Sequence, residues 1–410
     1  LSTPSNHARL AQLPKNAKSF ELDGHSLQAL NALAGTNPFY VYSTTQINHR
    51  IQNLKSKLPE GVDVHYAIKA NPMPAIVQRV SDWVDGLDVA SLKELQTAIA
   101  TATPRHHISF AGPGKTSAEM DAAICAGIVT IAESERQLDL LTEASQRLGK
   151  AAKVALRVNP DFQLKAAGMK MTGGAQPFGI DAERIETVFQ NWPEPLQFVG
   201  FHIFSGSQNL KADAIIAAQN ASIELALRLA QSAPQEPEWF NIGGGFGIPY
   251  FPGEQPLDVE PIANNLQTLI DEVRQSYTST RIVIELGRYL VGEAGYYVCQ
   301  VIDKKQSRGQ KYLICNGGMH HHLSLSGNFG QVIRKNYPVV IGNRLQDERL
   351  EETYIVGPLC TPLDRLADKM QLPANADVGD YVVVFQSGAY GFSASPHQFL
   401  SHPPPVEIVI

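Results

Sequence analysis

What most limits how this chain can fold is a rhythm of short β-rich runs, each followed by an amphipathic helical pattern. The runs cover residues 64–70, 86–90, 107–111, 128–132, 154–159, 198–204, 239–242 and 281–285. Eight strand–helix units within about 220 residues point to a closed parallel (β/α)8 barrel rather than an open doubly wound sheet. Start signals lie between the runs. Ser91-Leu-Lys-Glu94 reads as a capping box, Ser117, Ser134 and Asp181 are placed to cap the helices after them, and Asn71-Pro72 can open a helix behind the first run.

Beyond Glu285 the rhythm stops. The stretches starting at Tyr296, Lys311, Thr353 and Tyr381 are strand-like, with glycine and proline between them and no long helices. The chain therefore divides into an N-terminal segment, 1–37, joining a C-terminal antiparallel β domain, 289–410, and a barrel over 38–288.

The formal net charge of −6 argues against nucleic-acid or anionic-membrane partners. No apolar run approaches the roughly 18 residues of a membrane span. The four cysteines, 125, 299, 315 and 360, lie far apart and form no metal or disulfide pattern, so a reducing cytoplasm is expected. The first residues show no basic-then-apolar signal pattern, although Leu1 suggests a trimmed start.

In a barrel of this kind, residues at the C-terminal ends of the strands face the active site. Those ends carry Lys69, Asp88, Arg157, His202, Ser207, three glycines at 243, 244 and 245, and Glu285 with Arg288. A lysine at the end of a buried strand is costly unless it has a partner or a task, and burial makes its amine a nucleophile. Gly243, Gly244 and Gly245 lack GxGxxG spacing, and Pro249 and Pro252 disrupt the helix a dinucleotide would need. Alone they read as a tight turn; beside Ser207 and Arg288 they read as an anion nest for one phosphate. Glu285 ends an apolar run, where it either pairs with an arginine such as Arg288 or holds a cationic nitrogen protonated. Lysine, phosphate nest and buried carboxylate together describe a site for pyridoxal phosphate.

Tyr-Ala-Ile-Lys69-Ala-Asn, Gly-Leu-Asp88-Val-Ala-Ser, Gly-Ser207-Gln, Gly243-Gly-Gly-Phe, Glu285-Leu-Gly-Arg288-Tyr, Gly-Pro-Leu-Cys360 and Gly-Ala-Tyr390-Gly follow one another in this order. In this the chain resembles the alanine-racemase-fold pyridoxal phosphate decarboxylases, which include ornithine and diaminopimelate decarboxylases. The stretches Gly168-Met-Lys-Met-Thr-Gly-Gly, Gly318-Met-His-His-His and the thirteen residues from Ser326 are most similar to decarboxylases associated with exosortase and exopolysaccharide gene clusters. A related enzyme of aminoglycoside biosynthesis, acting on glutamate attached to a carrier protein, has similar stretches.

The resemblance implies that Lys69 carries the cofactor and Glu285 faces its pyridine nitrogen. Ser207, the three glycines, Arg288 and Tyr390 would hold the phosphate, with Asp88 and Arg157 near the lysine. Cys360 would reach across a head-to-tail homodimer interface and reprotonate Cα. The family's cofactor-stacking histidine position is Phe204 here, and His202 lies two residues earlier on the same strand face, so either ring could cover the cofactor. After Cys360 stands Thr361, where relatives acting on basic amino acids usually have an acid for the distal amine. Asp364 is a substitute acid. His321, among the histidines at 320–322, and Lys170 are further substrate-binding candidates, and no metal site is expected, since adjacent histidines on an extended segment point to opposite faces.

The expected activity is decarboxylation at Cα of an L-amino acid or amino-acid conjugate, free or carrier-bound. A fold-related racemase and a non-catalytic homologue are the alternatives.

Overall fold

The computed structural model describes residues 7–14, 16–162, 174–327 and 334–410, and the backbone of 169–170. The chain forms two compact units, Asn48–Gly247 with Leu257–Leu290, and Leu1–Ile47 with Ile248–Pro256 and Val291–Ile410.

The first unit is built on β1 (Val62–Ala67), β2 (Gly86–Val89), β3 (Ile108–Phe110), β4 (Val129–Ala132), β5 (Ala152–Asn159), β6 (Leu196–His202), β7 (Trp239–Gly244) and β8 (Arg281–Leu286). Each strand pairs in parallel with the next, and β8 pairs with β1, which closes an eight-stranded barrel. Every residue of β1 to β4 is buried. Strands covered by helices outside and filled inside have no solvent face, hence their near-continuous apolar runs.

Helix starts follow local chemistry, with shifts from the expected positions. Ser91 Oγ accepts from Glu94 N, but the Glu94 carboxylate takes the N–H of Ala90, so the box is only half formed. Thr116, not Ser117, caps the next helix, with Glu119 completing a full box. Ser134 caps as expected, accepting from Gln137 N. Asp181 precedes only a 3-10 turn, and its Oδ1 accepts from Asn159 Nδ2 at 2.8 Å.

The largest local difference surrounds Lys69. The strand stops at Ala67, and Ile68–Ala70 form one 3-10 turn closed by Asn71 N donating to Ile68 O at 3.0 Å. The helix begins at Pro74, not Pro72. Residues before proline avoid the α region, so Asn71 and Met73, preceding Pro72 and Pro74, both stay non-helical.

In the second unit, β9 (Gly295–Ser307) pairs antiparallel with β10 (Gln310–Cys315), with the strand Phe39–Tyr42 and with β14 (Tyr381–Val384). β11 (Val339–Ile341) extends the sheet beside β14, and β13 (Arg365–Pro373) beside β12 (Leu350–Val356). Two pairings are parallel, β10 with β12 and Phe39–Tyr42 with β15 (Val406–Val409). The compact units thus divide at Ile47/Asn48 rather than at residue 38, because Phe39–Tyr42 spends its backbone hydrogen bonds in this sheet. Phe20, Leu22, Leu27 and Leu30 pack with Phe39, Val41, Tyr296, Val298, Val383 and Phe385 in its core.

Candidate active site

Lys69, Glu285 and His202 meet at the C-terminal end of the barrel. Glu285 Oε1 lies 3.6 Å from Lys69 Nζ, and Oε2 lies 3.1 Å from His202 Nε2. Burial opposes a charge on Glu285, but Lys69, His202 and, to a smaller extent, Arg157 outweigh it and hold the carboxyl well below the usual range. With Glu285 ionised, His202 Nε2–H donates to it, which leaves the buried Nδ1 without a partner.

Lys69 itself is not buried; its side chain is 47% exposed. Ending the strand at Ala67 lifts the lysine out of the sheet on its turn and into reach of solvent. Its amine lies 5.6 Å from the centroid of the Phe204 ring. Phe204 in turn covers Gly243, where a Cβ would stand 2.8 Å from Phe204 Cδ2. Phe204 therefore lies between the lysine and the glycine loop, while His202 is tied to Glu285.

That loop needs its glycines. Gly243 and Gly245 have φ of +65° and +75°, in the left-handed region, and a Cβ on Gly244 would overlap the backbone oxygen of Glu285. Asn241 Oδ1 accepts from Gly243 N, and Asn209 N donates to Gly245 O at 2.8 Å. A cavity of about 100 Å³ opens here, lined by Ser205, Gly206, Ser207, Asn209 and all three glycines. Ser207 pairs with Met169 through a short antiparallel ladder. Arg288 follows β8 directly after Gly287.

Arg157 is held by a residue the sequence reading passed over. Its Nη1 lies 3.1 Å from both oxygens of Glu133, which is buried and also accepts from Gly112 N. Glu133 directly follows β4, so reading strand ends one residue further would have found it. Asp88 is likewise engaged from within the barrel, by His65 and Ser109.

In the second unit, Cys360 is exposed on the loop between β12 and β13, and Thr361 Oγ1 accepts from Leu363 N. Tyr390 is half-buried with φ +61°. Two expectations are corrected here. Asp364 is 2% exposed, and its oxygens accept from Met319 N at 2.6 Å and Leu359 N at 2.8 Å, so it braces the chain and is not open to substrate. His321 is buried with Nδ1 3.1 Å from the Tyr297 hydroxyl and Nε2 2.9 Å from Pro403 O, so both ring nitrogens are used internally. The side chain of Lys170 lies outside the described residues. Among the described residues no group of three or more His, Cys, Asp and Glu could hold a metal ion. Nor, among them, is any helix long and apolar enough to cross a membrane.

The residues present fit pyridoxal phosphate. An amine, a phosphate-sized glycine nest, an aromatic ring between them and an ionised carboxylate lie at one barrel end, and Asp88 Oδ2 and His202 Nδ1 are buried polar atoms without partners. A closed parallel barrel with these fittings defines a pyridoxal phosphate enzyme of the barrel class.

Comparisons sharpen that assignment. Residues 44–292 match the family described as pyridoxal-dependent decarboxylase, pyridoxal binding domain. The chain is 35% identical to the L-glutamyl-[BtrI acyl-carrier protein] decarboxylase of Niallia circulans, over 95% of this chain and 92% of that protein. It is 32% identical to the 2-[(L-alanin-3-ylcarbamoyl)methyl]-2-hydroxybutanedioate decarboxylase of Staphylococcus aureus, over 89% and 92%. Diaminopimelate decarboxylase from M. jannaschii, solved with L-lysine, superposes with a TM-score of 0.86 at 26% identity, covering 96% of this chain and 92% of that one. The chain belongs to the pyridoxal-dependent decarboxylase family that includes the ornithine and diaminopimelate enzymes. It is a pyridoxal phosphate-dependent lyase that decarboxylates an amino acid or an amino-acid conjugate, which sets aside the racemase alternative.

Proposed function

We propose that this enzyme removes the α-carboxylate of an amino acid carried in a conjugate, attached to a carrier protein or to a second acid, in preference to a free diamino acid. Pyridoxal phosphate, when bound, supplies the electron sink for the pair left at Cα as CO2 departs. Lys69 would hold the cofactor through its amine, which lies at the barrel end beside Glu285. Glu285, its carboxylate fixed by His202, would face the ring nitrogen and favour its protonated form. Phe204 would pack against the cofactor ring, and Ser207, Gly243, Gly244, Gly245, Arg288 and Tyr390 would hold the phosphate. Arg157 borders the site from its clamp on Glu133.

Cys360 delivers the proton to Cα in the second chain of a head-to-tail homodimer; its exposure supports a role outside its own fold. The placement of the enzyme in a reducing cytoplasm rests on the wide sequence spacing of its four cysteines.

One observation carries the substrate class: the Cys360 loop presents Thr361, while the nearby Asp364 is buried and spent on backbone N–H groups. Among the described residues of that loop, a distal ammonium would find no free carboxylate. The two relatives cited at 35% and 32% identity are both named for conjugated substrates, in agreement. The test is a CO2-release screen of free ornithine, lysine, diaminopimelate and glutamate against aminoacyl carrier proteins and amino-acid–hydroxyacid conjugates. Conjugates should turn over fastest, and Thr361→Asp should raise turnover of diamino acids. Faster turnover of a free diamino acid by the unaltered enzyme would overturn the assignment.

A further inference from the structure

His65 is a buried histidine inside the barrel that neither the cofactor site nor the chemistry above uses. It is the register partner of Glu285 on the adjacent strand, and Ala67, two residues on, is the partner of Asp88. Side chains at the same level of neighbouring parallel strands share a face, and so do positions two apart. His65 and Asp88 therefore face the same interior as Glu285, in successive layers. On the other side of His65 its register partner is Gly86, where a Cβ would overlap the imidazole Nε2. The absent side chain leaves the room that the ring occupies.

From that seat His65 Nδ1 lies 3.1 Å from Asp88 Oδ1, and Ser109 Oγ donates to the same oxygen at 2.5 Å. Asp88 is 6% exposed, and its other oxygen, Oδ2, is buried without a partner. A buried carboxylate oxygen without a hydrogen bond is costly, of the order of 1–3 kcal/mol or more, unless something binds it. It stands on the strand end next to the one that carries Lys69. Glu285 and Asp88 are thus each held by one histidine from within, Glu285 by His202 and Asp88 by His65.

We propose that His65 is a positioning residue: it fixes Asp88 through Oδ1, so that Oδ2 is presented as an acceptor to an N–H or O–H donor on the pyridoxal phosphate held at Lys69. Burial works against a charge on His65, while Asp88, then Asp63 and Asp85, raise its proton affinity above the usual histidine value, so Nδ1 is a donor.

The test titrates pyridoxal phosphate into the apoprotein, following visible absorbance for Kd and thermal unfolding for integrity. His65→Asn places an amide nitrogen near the position of Nδ1, whereas His65→Gln places it near Nε2. His65→Phe should weaken cofactor binding about tenfold or more, the loss of one hydrogen bond to a charged group. His65→Asn should recover most of that loss and His65→Gln should not. In an Asp88→Ala background His65→Phe should cost nothing further, which a purely structural role would not reproduce. Unchanged Kd in His65→Phe, equal behaviour of Asn and Gln, or an undiminished cost in the Asp88→Ala background would each overturn the inference. If His65→Phe does not fold, the Asn and Gln pair decides it. Normal cofactor binding by the unaltered chain separates failure of this inference from failure of the cofactor assignment.

Discussion

Glu285 Oε2 stands 3.1 Å from His202 Nε2 in a pair nearly sealed from water, with Lys69 on the other oxygen. A carboxylate held ionised there keeps its charge opposite whatever nitrogen is bound. Glu285→Gln removes that charge at constant shape, and kcat should fall about a hundredfold or more, as for loss of a preorganised electrostatic contact. Steady-state CO2 release on reconstituted protein reads this, and a change below about threefold would remove Glu285 from the chemistry.

Lys69→Ala should remove the lysine–cofactor absorption band of reconstituted protein, leaving only that of the free aldehyde, while its melting temperature stays close to that of the unaltered chain. The lysine is half-exposed and its turn is closed by backbone groups, so little packing is lost. An unchanged visible spectrum would refute the assignment of Lys69.

Gly243→Ala places a Cβ 2.8 Å from Phe204 at a φ of +65°. Strain of about 1–3 kcal/mol is expected, with a raised Kd for pyridoxal phosphate. Because the contact is the Phe204 side chain, Phe204→Leu in the same protein should recover part of the stability. Calorimetric unfolding of the single and double variants measures the coupling.

Cys360→Ala should retain the cofactor and lose turnover, since an exposed side chain contributes little to folding. Mixing it with Lys69→Ala protein should restore partial activity if sites are shared between two chains. Two inactive variants that stay inactive when exchanged would argue against a shared site.

Acid should destabilise the second unit through its histidines. Burial, more than neighbouring histidines, lowers His320 to about 3; it lowers His321 to about 4 and His322 to about 3. Their folded values lie below the unfolded value near 6.5, so the stability is fully present above that pH and is lost as pH falls toward 3–4. Each group adds a slope of about 1.4 kcal/mol per pH unit across that window. Denaturant unfolding between pH 7 and 4 should reveal it, and His322→Asn should reduce the slope by close to one proton.

Much of the site was legible because a barrel converts sequence position into spatial position. Once eight runs are recognised, their C-terminal ends are neighbours, so Lys69, Asp88, His202 and Glu285 could be grouped before any coordinates. Glu133 escaped because it stands one residue beyond its run. Asp364 and His321 looked available because a sequence does not show where a side chain's hydrogen bonds are spent.

The sequence by itself determined the barrel and its cofactor and singled out the lysine as a candidate, since periodicity, proline and glycine act locally and the strand-end rule orders what remains. Only the tertiary structure decided the state of each polar group. Lys69 is raised on the 3-10 turn that follows the strand's end at Ala67, His202 belongs to Glu285 while Phe204 meets the lysine, and His65 fits where Gly86 has no side chain. Hydrogen bonds and close contacts join residues far apart in the chain, and their partners are settled only when the strands close into a ring.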